Sequence, residues 1–173
     1  MSNPDAVTPL EGKAVDYSRL VMPVRMLPQD ANPAGNVHGG VILKYIDTAG
    51  GIVAARHSRS NVVTASIDRM DFIAPAHVGE VITFKASLNL VGRTSMEIGV
   101  RVEAENLITG KIRHTGSAYL TYVALDPDKN PRTIPPLILE TDEDRRRNAE
   151  AKDRRRTRLA ERARERDSQA SCC

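Results

Sequence analysis

The sequence contains few cysteines, the residues that could cross-link the chain or build a thiolate zinc site. Its two cysteines, Cys172 and Cys173, are adjacent at the C-terminus, where they can neither staple a core nor build a tetrahedral zinc site. We therefore expect a fold that stands without a disulfide or a structural metal, and we predict no metal site. An exposed tail end is the preferred interpretation of the cysteine pair, with lipidation or an intermolecular disulfide as the alternative.

Aromatic residues and long apolar runs are also scarce. The 173 residues include no tryptophan, four tyrosines and two phenylalanines, too few to form stacking platforms for single-stranded nucleic acid. No run approaches the roughly 18 apolar residues of a membrane-spanning helix, and the N-terminus lacks the pattern of a secretory signal. We therefore expect no nucleic-acid partner and no membrane span, and we take the cytoplasm as the default compartment.

The charge of the chain is concentrated near its end. The formal net charge is +3, and the segment 140–167 carries eleven Lys/Arg and nine Asp/Glu out of totals of 25 and 22. The rest of the chain is therefore nearly neutral. A neutral body does not resemble a surface that follows a phosphate backbone.

The hydrophobic pattern predicts one α+β domain over residues 18–125. Apolar residues recur at helical spacing in 38–58, whereas 20–27 and four later segments alternate between apolar and polar residues, as strands do. One strand, one long helix and four strands with mostly short connections favour an antiparallel sheet. We expect about five curved strands to wrap the central helix, the hotdog arrangement, and dimerisation to cover the free edges. The later strands are predicted in segments 63–72, 82–90, 96–104 and 112–122.

Three segments flank this domain. Residues 1–17 show no apolar period and are predicted to be a flexible lead. Residues 126–140 contain four prolines and are predicted to form a stiff linker. Residues 141–173 mix charges of both signs with few large apolar residues, which predicts a solvated tail, partly helical or disordered. Arginine runs in this tail could contact an anionic partner, but the nearby acids favour a solvated surface.

A loop rich in glycine and proline, residues 30–40, leads directly into the predicted helix. Its glycines let backbone amides approach a ligand closely, and the unpaired N–H groups of a helix start suit a developing oxyanion. We assign Gly39 and Gly40 to the oxyanion, with His38 as a cap or a substrate contact. Asp47 follows two to three turns later among apolar neighbours, where a carboxylate is costly unless it is paired or used.

Asp47 and the loop residue Asn36 are predicted to act together from different chains. If the helix starts near His38, Asp47 lies roughly 14 Å further along at 1.5 Å per residue, out of reach of Asn36 in the same chain. A symmetric dimer with neighbouring helices in opposite senses would bring Asn36 of one protomer to Asp47 of the other. The spacing therefore predicts two equivalent composite sites.

The motifs of this chain resemble those of the hotdog-fold acyl-CoA thioesterases. Their pattern is similar to that of the cytosolic, brain-type acyl-CoA hydrolases. The resemblance rests on segments 35–40, 46–57, 63–68 and 93–98 and covers roughly residues 20–125. It implies hydrolysis of fatty acyl-CoA to free acid and CoA, with no cofactor other than the CoA of the substrate, by homodimers that often form trimers of dimers. It also implies an active pair of a loop Asn and a helix Asp from different units, at the positions of Asn36 and Asp47.

The predicted chemistry requires a positioned water and a stabilised oxyanion, because a thiolate leaves readily. Asp47 is assigned as general base and Asn36 as the group that orients the water or the carbonyl. A covalent anhydride on Asp47 is the open alternative. Arg93, flanked by the hydroxyls of Thr94 and Ser95, is the candidate to bind the phosphates of CoA.

Two other functions compete with thioester hydrolysis. A hotdog enoyl-CoA hydratase or dehydratase would need a His–acid pair at the β-carbon of the acyl chain, and His38 is the only histidine on the loop. A non-catalytic acyl-CoA-binding protein would bind the same ligand without turnover. Release of free thiol from acyl-CoA distinguishes hydrolysis from both.

Overall fold

The computed structural model of the chain describes residues 10–170, with side-chain surroundings as far as Arg166. In chain order the elements are β1 (Lys13–Ala14), β2 (Leu20–Arg25), α1 (Gly39–Ser58), β3 (Asn61–Phe72), β4 (Val81–Val91), β5 (Ser95–Glu105), β6 (Ile112–Leu125), β7 (Leu137–Ile138) and α2 (Asp142–Ala170). Strands β2 to β6 form one antiparallel sheet in the order β2-β4-β5-β6-β3. The predicted α+β hotdog fold, with a long helix wrapped by a five-stranded antiparallel sheet, is confirmed.

Helix α1 lies in the concave face of this sheet because its apolar residues repeat at helical spacing. Ile42, Ile46, Ala49 and Val53 are buried, and burying such a side chain fully stabilises the fold by about 1.5–3 kcal/mol for the larger residues. The helix ends at Ser58, where Arg59 takes the left-handed conformation (φ 51°). The predicted helix 38–58 is therefore correct to within one residue.

Strand β3 forms one edge of the sheet, and two bulges interrupt its alternation. In the sequence, Val63, Ala65 and Ile67 alternate with polar residues, a pattern that predicts these three side chains on one face. The first bulge inserts Ala65 as an extra residue, so that prediction is wrong beyond this point. Thr64 lies directly opposite Tyr122, and directly opposed residues of an antiparallel pair share a face. Thr64 therefore points towards α1 together with Tyr122, whereas Val63 points away.

The flanking segments are folded onto the domain to a greater extent than the sequence predicted. Residues 1–9 of the predicted flexible lead lie outside the described residues, but β1 pairs in parallel with β7 and Val15 is buried. The predicted linker 126–140 supplies β7 and places Ile134 in the core. Its Pro135 carbonyl lies 2.9 Å from Nε2 of the buried His57 at the end of α1. This hydrogen bond fastens the linker to the helix.

The tail that was predicted to be solvated, and partly helical or disordered, is largely one helix, α2, and this helix is docked on the convex face of the sheet. A capping box starts it: the Asp144 N–H donates to Thr141 Oγ1 and the Thr141 N–H donates to Asp144 Oδ2, each at 3.1 Å. The residues that α2 turns inwards recur every three or four positions: Asp144, Asn148, Ala151, Arg154 and Arg158. The predicted Cys172–Cys173 tail end lies outside the described residues.

Polar contacts hold α2 in place. Asn148 Nδ2 donates to the Asn89 carbonyl at 2.8 Å. Arg154 Nη2 lies 2.7 Å from the carboxylate of Glu97, which is only 3% exposed, and its guanidinium lies 3.8 Å from the ring centroid of Tyr119. Asn89 and Glu97, polar residues of β4 and β5, therefore face a helix rather than water. Between residues 10 and 170, neither helix is long and apolar enough to cross a membrane.

Candidate active site

The loop before α1 is folded around Asn32. Its Oδ1 accepts from the N–H groups of Ala34 (2.9 Å) and Asn36 (3.2 Å), and its own N–H donates to the Asn36 carbonyl (2.7 Å). The Val37 N–H donates to the carbonyl of Ala76 at 2.8 Å, which ties the loop to the turn before β4. Asn36 is half-buried, and its side chain makes no hydrogen bond to the described residues.

The first turn of α1 is capped by His38. Its Nδ1 accepts a hydrogen bond from the Gly40 N–H at 2.9 Å. In this structure His38 therefore acts as the helix cap, which is one of its two predicted roles. The Gly40 N–H is therefore occupied, and the Gly39 N–H is the donor left free at this helix start among the described residues. The ring of Phe72 lies against Gly39, where an added Cβ would approach its Cζ to 3.2 Å. The end of β3 thus packs beside Gly39, the first of the two predicted oxyanion donors.

The carboxylate of Asp47 is half-buried and held at one of its two oxygens. Oδ1 accepts from Thr64 Oγ1 at 2.6 Å and from the Tyr122 hydroxyl at 3.0 Å. The same hydroxyl lies 2.8 Å from the backbone carbonyl of Asp47. No hydrogen bond reaches Oδ2 from the residues that the structure describes. A carboxylate fixed at one oxygen and open at the other can accept a proton from a water molecule.

Tyr122 reaches Asp47 because Gly50 leaves room for its ring. The side chain is 1% exposed, and a Cβ at position 50 would lie 2.5 Å from its hydroxyl oxygen. Burial, followed by the negative charge of Asp47 and their hydrogen bond, raises the pKa of Tyr122 far above its usual value. The phenol therefore stays protonated and remains a hydrogen-bond donor to the carboxylate.

Sequence reasoning missed both partners of Asp47. Thr64 and Tyr122 lie 17 and 75 positions from Asp47, and only the strand register brings them together. The sequence did hold one signal, the small residues of α1 after Asp47, which predict close approach of the sheet. It did not indicate which side chain would occupy that space.

The predicted CoA-binding residues lie in the β4–β5 turn, at the opposite end of the sheet from Gly39. Arg93 is exposed, and its side chain has no partner among the described residues. The Ser95 carbonyl accepts from the Gly92 N–H at 2.7 Å and closes the turn. The structure adds Arg155 of α2 to this turn, because a Cβ at Gly92 would lie 3.0 Å from its Nη1.

An apolar pocket of about 360 Å³ opens at the start of α1, between the helix, the end of β3 and the strands behind it. Its size and lining are typical of sites that bind apolar groups of small molecules. Among the residues that line it are Val37, Gly39, Ile42, Met70, Phe72 and Val102. The pocket therefore places apolar surface beside the free N–H of the helix start.

The exposed edge strand presents apolar side chains to solvent. Val63 and Ile67 are each more than 40% exposed, and Phe72 and Ile73 are each 59% exposed. The outer backbone edge of β3 pairs with no other strand of the described chain. An unpaired, apolar edge of twelve residues is a surface on which a second chain can add. Within residues 10–170, no cluster of three or more His, Cys, Asp or Glu could hold a metal ion.

The fold and these residues place the chain among the hotdog-fold proteins. The chain belongs to the Thioesterase superfamily, whose family model matches residues 34–122. It is 38% identical over 157 residues to the cytosolic acyl coenzyme A thioester hydrolase of Rattus norvegicus. That match covers 88% of this chain and 41% of the relative, so the chain spans less than half of the relative's length. The predicted resemblance to the acyl-CoA thioesterases is confirmed.

Two solved structures are similar over most of their length. A hexameric acyl-CoA thioesterase in its apo form is 37% identical, with a TM-score of 0.86, covering 89% of this chain and 99% of that chain. An acyl-CoA hydrolase from Staphylococcus aureus, in complex with butyryl coenzyme A, coenzyme A and coenzyme A disulfide, is 29% identical, with a TM-score of 0.84, covering 90% and 95%. Variants of the Staphylococcus protein in which an Asn, an Asp or a Thr is replaced by Ala have also been solved.

Proposed function

We propose that this protein hydrolyses acyl-CoA thioesters to a free acid and CoA, with Asp47 as the general base. The single observation that carries the proposal is the carboxylate of Asp47, fixed through Oδ1 by Thr64 and Tyr122 and open at Oδ2. A positioned general base typically contributes about 10²- to 10⁴-fold to the rate. The names of the relatives support the substrate class. No cofactor beyond the CoA of the substrate is part of the proposal.

The developing oxyanion is held at the start of α1. The Gly39 N–H is the first donor, and the positive end of the helix dipole adds to it. The Gly40 N–H serves as a second donor when His38 releases it. A donor of this kind contributes about 10²- to 10³-fold. The apolar pocket beside Gly39 takes the acyl chain.

The site is completed by a second copy of the chain. Within one described chain, the hydrogen bonds to the Asp47 carboxylate come from Thr64 and Tyr122 and not from Asn36. The exposed apolar edge of β3 supplies the surface for a homodimer, and the similar hexameric thioesterase supports a trimer of dimers. The loop of one protomer then meets Asp47 of the other, in a cytoplasmic enzyme like the cytosolic relative.

Asn32 competes with Asn36 for the role of the loop amide. In the Staphylococcus hydrolase, the replaced Asn lies 15 positions before the replaced Asp, and the replaced Thr lies 17 positions after it. Here Asn32 and Thr64 have those spacings from Asp47, whereas Asn36 lies eleven positions before it. Asn32 also has its Oδ1 fixed by two N–H groups, which leaves the amide N–H₂ as its free end. We therefore favour Asn32 over the predicted Asn36.

The phosphates of CoA are assigned to the β4–β5 turn. Arg93 supplies an exposed cation without a partner in the described chain, and Thr94 and Ser95 supply hydroxyls. Arg155 lies against the same turn. Arginine is well suited to phosphate, because its planar guanidinium can donate two parallel hydrogen bonds.

The decisive experiment replaces Asp47 and follows thiol release from acyl-CoA with a chromogenic disulfide. Asp47→Ala and Asp47→Asn should each lower kcat at least about 100-fold, with acyl-CoA still bound. Thr48→Ala is the matched control, since Thr48 is exposed on the same helix and its side chain bonds, within the described part of the chain, only to the Lys44 carbonyl. Full activity in the Asp47 variants would refute the general base. Loss of an enoyl chromophore without thiol release would indicate a hydratase, and binding without turnover would indicate a sensor.

Mixing variants tests the composite site. An Asp47→Ala protomer mixed with an Asn32→Ala protomer should regain about one intact site for each mixed dimer, whereas each variant alone should stay inactive. The same mixture with Asn36→Ala decides between the two asparagines. No recovery in either mixture would rule out a site shared between protomers.

A further inference from the structure

We infer that α2 positions the active site from behind the sheet: Arg158 and Asp68 hold the β3 bulge that aims Thr64 at Asp47. The inference rests on the proposed function, because it assigns Thr64 to the general base of the hydrolysis. Arg158 and Asp68 touch neither the substrate pocket nor Asp47. They act through Thr64 and are positioning residues.

The first observation is the set of hydrogen bonds that converge on Asp68. Ser66 Oγ donates to Asp68 Oδ1 at 2.5 Å, and Thr121 Oγ1 donates to Oδ2 at 2.9 Å. The guanidinium of Arg158 contacts both Asp68 Oδ2 and Thr121 Oγ1. The side chains of Asp68 and Arg158 are only 9% and 17% exposed. Such a shielded pair is screened less than an exposed surface pair.

The second observation is where this cluster lies relative to Asp47. Thr64 opposes Tyr122 on the concave face, and both hydroxyls donate to Asp47. The next opposed pair, Ser66 and Thr121, belongs to the convex face, and both of its hydroxyls donate to Asp68. The two clusters are therefore back to back across the same two strands.

The bulge at Ala65 connects the two clusters. A bulge re-aims the side chains beside it, and its local twist depends on what holds the extra residue. Thr64 is the residue before this bulge and Ser66 the residue after it. Fixing Ser66 to Asp68 therefore fixes the angle at which Thr64 leaves the strand. Asp68 is itself the extra residue of the second bulge, so one carboxylate restrains both irregularities.

Removing Arg158 leaves a shielded carboxylate without its cation. Asp68 would then turn towards water and release Ser66 or Thr121, and the bulge would relax. A misplacement of about 1 Å in a reacting group can cost about 100-fold in rate. Since Tyr122 still holds Asp47, we expect Arg158→Ala to lower kcat about tenfold while KM changes less than twofold.

Two arginines of α2 serve as controls. Arg156 is 79% exposed, and among the described residues it pairs only with Asp153 of the same helix. Arg147 helps to dock α2, through Ser87 at 3.0 Å, but lies far from β3 along the helix. Arg156→Ala and Arg147→Ala should each keep kcat within twofold of the wild type. A loss of kcat in Arg147→Ala equal to that in Arg158→Ala would mean that docking of α2 in general, rather than the Asp68 cluster, supports activity.

A double-mutant cycle on the full chain decides the inference. kcat and KM are measured by thiol release for the wild type, Arg158→Ala, Thr64→Val and the double variant. If Arg158 acts through Thr64, the fold-loss in kcat caused by Arg158→Ala should be at least threefold smaller in the Thr64→Val background. The inference is overturned if the fold-loss caused by Arg158→Ala differs by less than threefold between the wild-type and Thr64→Val backgrounds. It is also overturned if Arg158→Ala alone leaves kcat unchanged. Arg158→Lys keeps the positive charge but lacks the planar guanidinium with its several N–H donors. Its kcat should therefore fall less than that of Arg158→Ala.

Amide hydrogen exchange provides a readout that does not depend on turnover. Arg158→Ala should exchange faster than the wild type over residues 64–68, and Arg156→Ala should not. The two failures give different results. If the proposed function is wrong, the wild-type protein releases no thiol from acyl-CoA. Hydrogen exchange over residues 64–68 then decides by itself whether the Asp68 cluster restrains the bulge. Unchanged exchange there overturns the positioning role in either case.

Discussion

Replacing Gly50 by alanine should uncouple Tyr122 from Asp47. An added Cβ would lie 2.5 Å from the Tyr122 hydroxyl oxygen and 3.0 Å from Cε2 and Cζ of its ring. Real Cβ atoms do not approach other atoms to 2.5 Å, and Tyr122 is packed in the core. The ring must therefore move outwards, and its hydroxyl must leave the carboxylate of Asp47. Gly51, the next residue, offers a control, since the nearest described atom to a Cβ there would be Cε1 of Tyr122 at 3.8 Å.

Alanine at position 50 and alanine at position 51 should change the free energy of unfolding in opposite directions. Alanine is favoured over glycine in a helix interior by about 1 kcal/mol, so Gly51→Ala should raise the free energy of unfolding by up to that amount. At position 50, overpacking costs about 1–3 kcal/mol, and a lost hydrogen bond to a charged group costs about 1.5–3 kcal/mol. After the helix gain is subtracted, Gly50→Ala should lower the free energy of unfolding by roughly 1.5–5 kcal/mol.

Thermal unfolding and thiol release measure the two consequences separately. For a chain of this size, about 1 kcal/mol corresponds to about 2–4 °C in Tm, so the two variants should move Tm in opposite directions. Gly50→Ala should also lower kcat by about tenfold or more, because Asp47 loses one of its two donors. In a Tyr122→Phe background, Gly50→Ala should cost less stability, since the hydroxyl oxygen that makes the shortest contact with the added Cβ is absent. A Gly50→Ala variant as stable and active as Gly51→Ala would refute the assigned packing.

Three further predictions concern other parts of the chain. Glu80→Gln should cost about 3 kcal/mol at neutral pH, because Glu80 accepts two hydrogen bonds of 2.6 Å from Arg113. Burial raises the pKa of Glu80, but Arg113 and the His77 N–H outweigh it and hold the pKa below the usual 4.5, so in urea titrations the difference should shrink as the pH falls below 4.5. His38→Ala should lose about 1 kcal/mol of stability with its cap and keep most of its activity; complete loss of kcat would mean that His38 takes part in the chemistry. Met70→Ala should enlarge the apolar pocket and shift the preferred acyl chain towards longer substrates, measured with acyl-CoAs of two to eighteen carbons; an unchanged profile would place the acyl chain elsewhere.

The periodicity of the sequence was sufficient to predict the central architecture. Alternation at period two located β3 to β6, and the apolar stripe of α1 located the helix to within one residue, because both patterns follow from burial on one face. The acid at position 47 could also be singled out, since its neighbours are apolar. These features depend on local spacing alone.

The features that were missed depend on long-range register or on polar burial. Tyr122 meets Asp47 only because β6 pairs with β3 in one register, and the bulge at Ala65 changes that register part-way along the strand. The docking of helix α2 on the sheet was not predicted, because the side that the helix buries is polar, including Asn148 and Arg154, and the hydropathy of the segment is that of a solvated one. Its capping box, Thr141 followed three positions later by Asp144, was a readable start signal.

The polar contacts between α2 and the sheet also determine how far the chain can be shortened. The superfamily match ends at residue 122, yet the carboxylate of Glu97 and the carbonyl of Asn89 find their partners on a helix that begins twenty positions later. A fragment trimmed to the matched region would expose those groups and strip the back of the sheet of its cover. The smallest unit that can be expressed and compared with its relatives therefore extends well beyond the region by which the family is recognised.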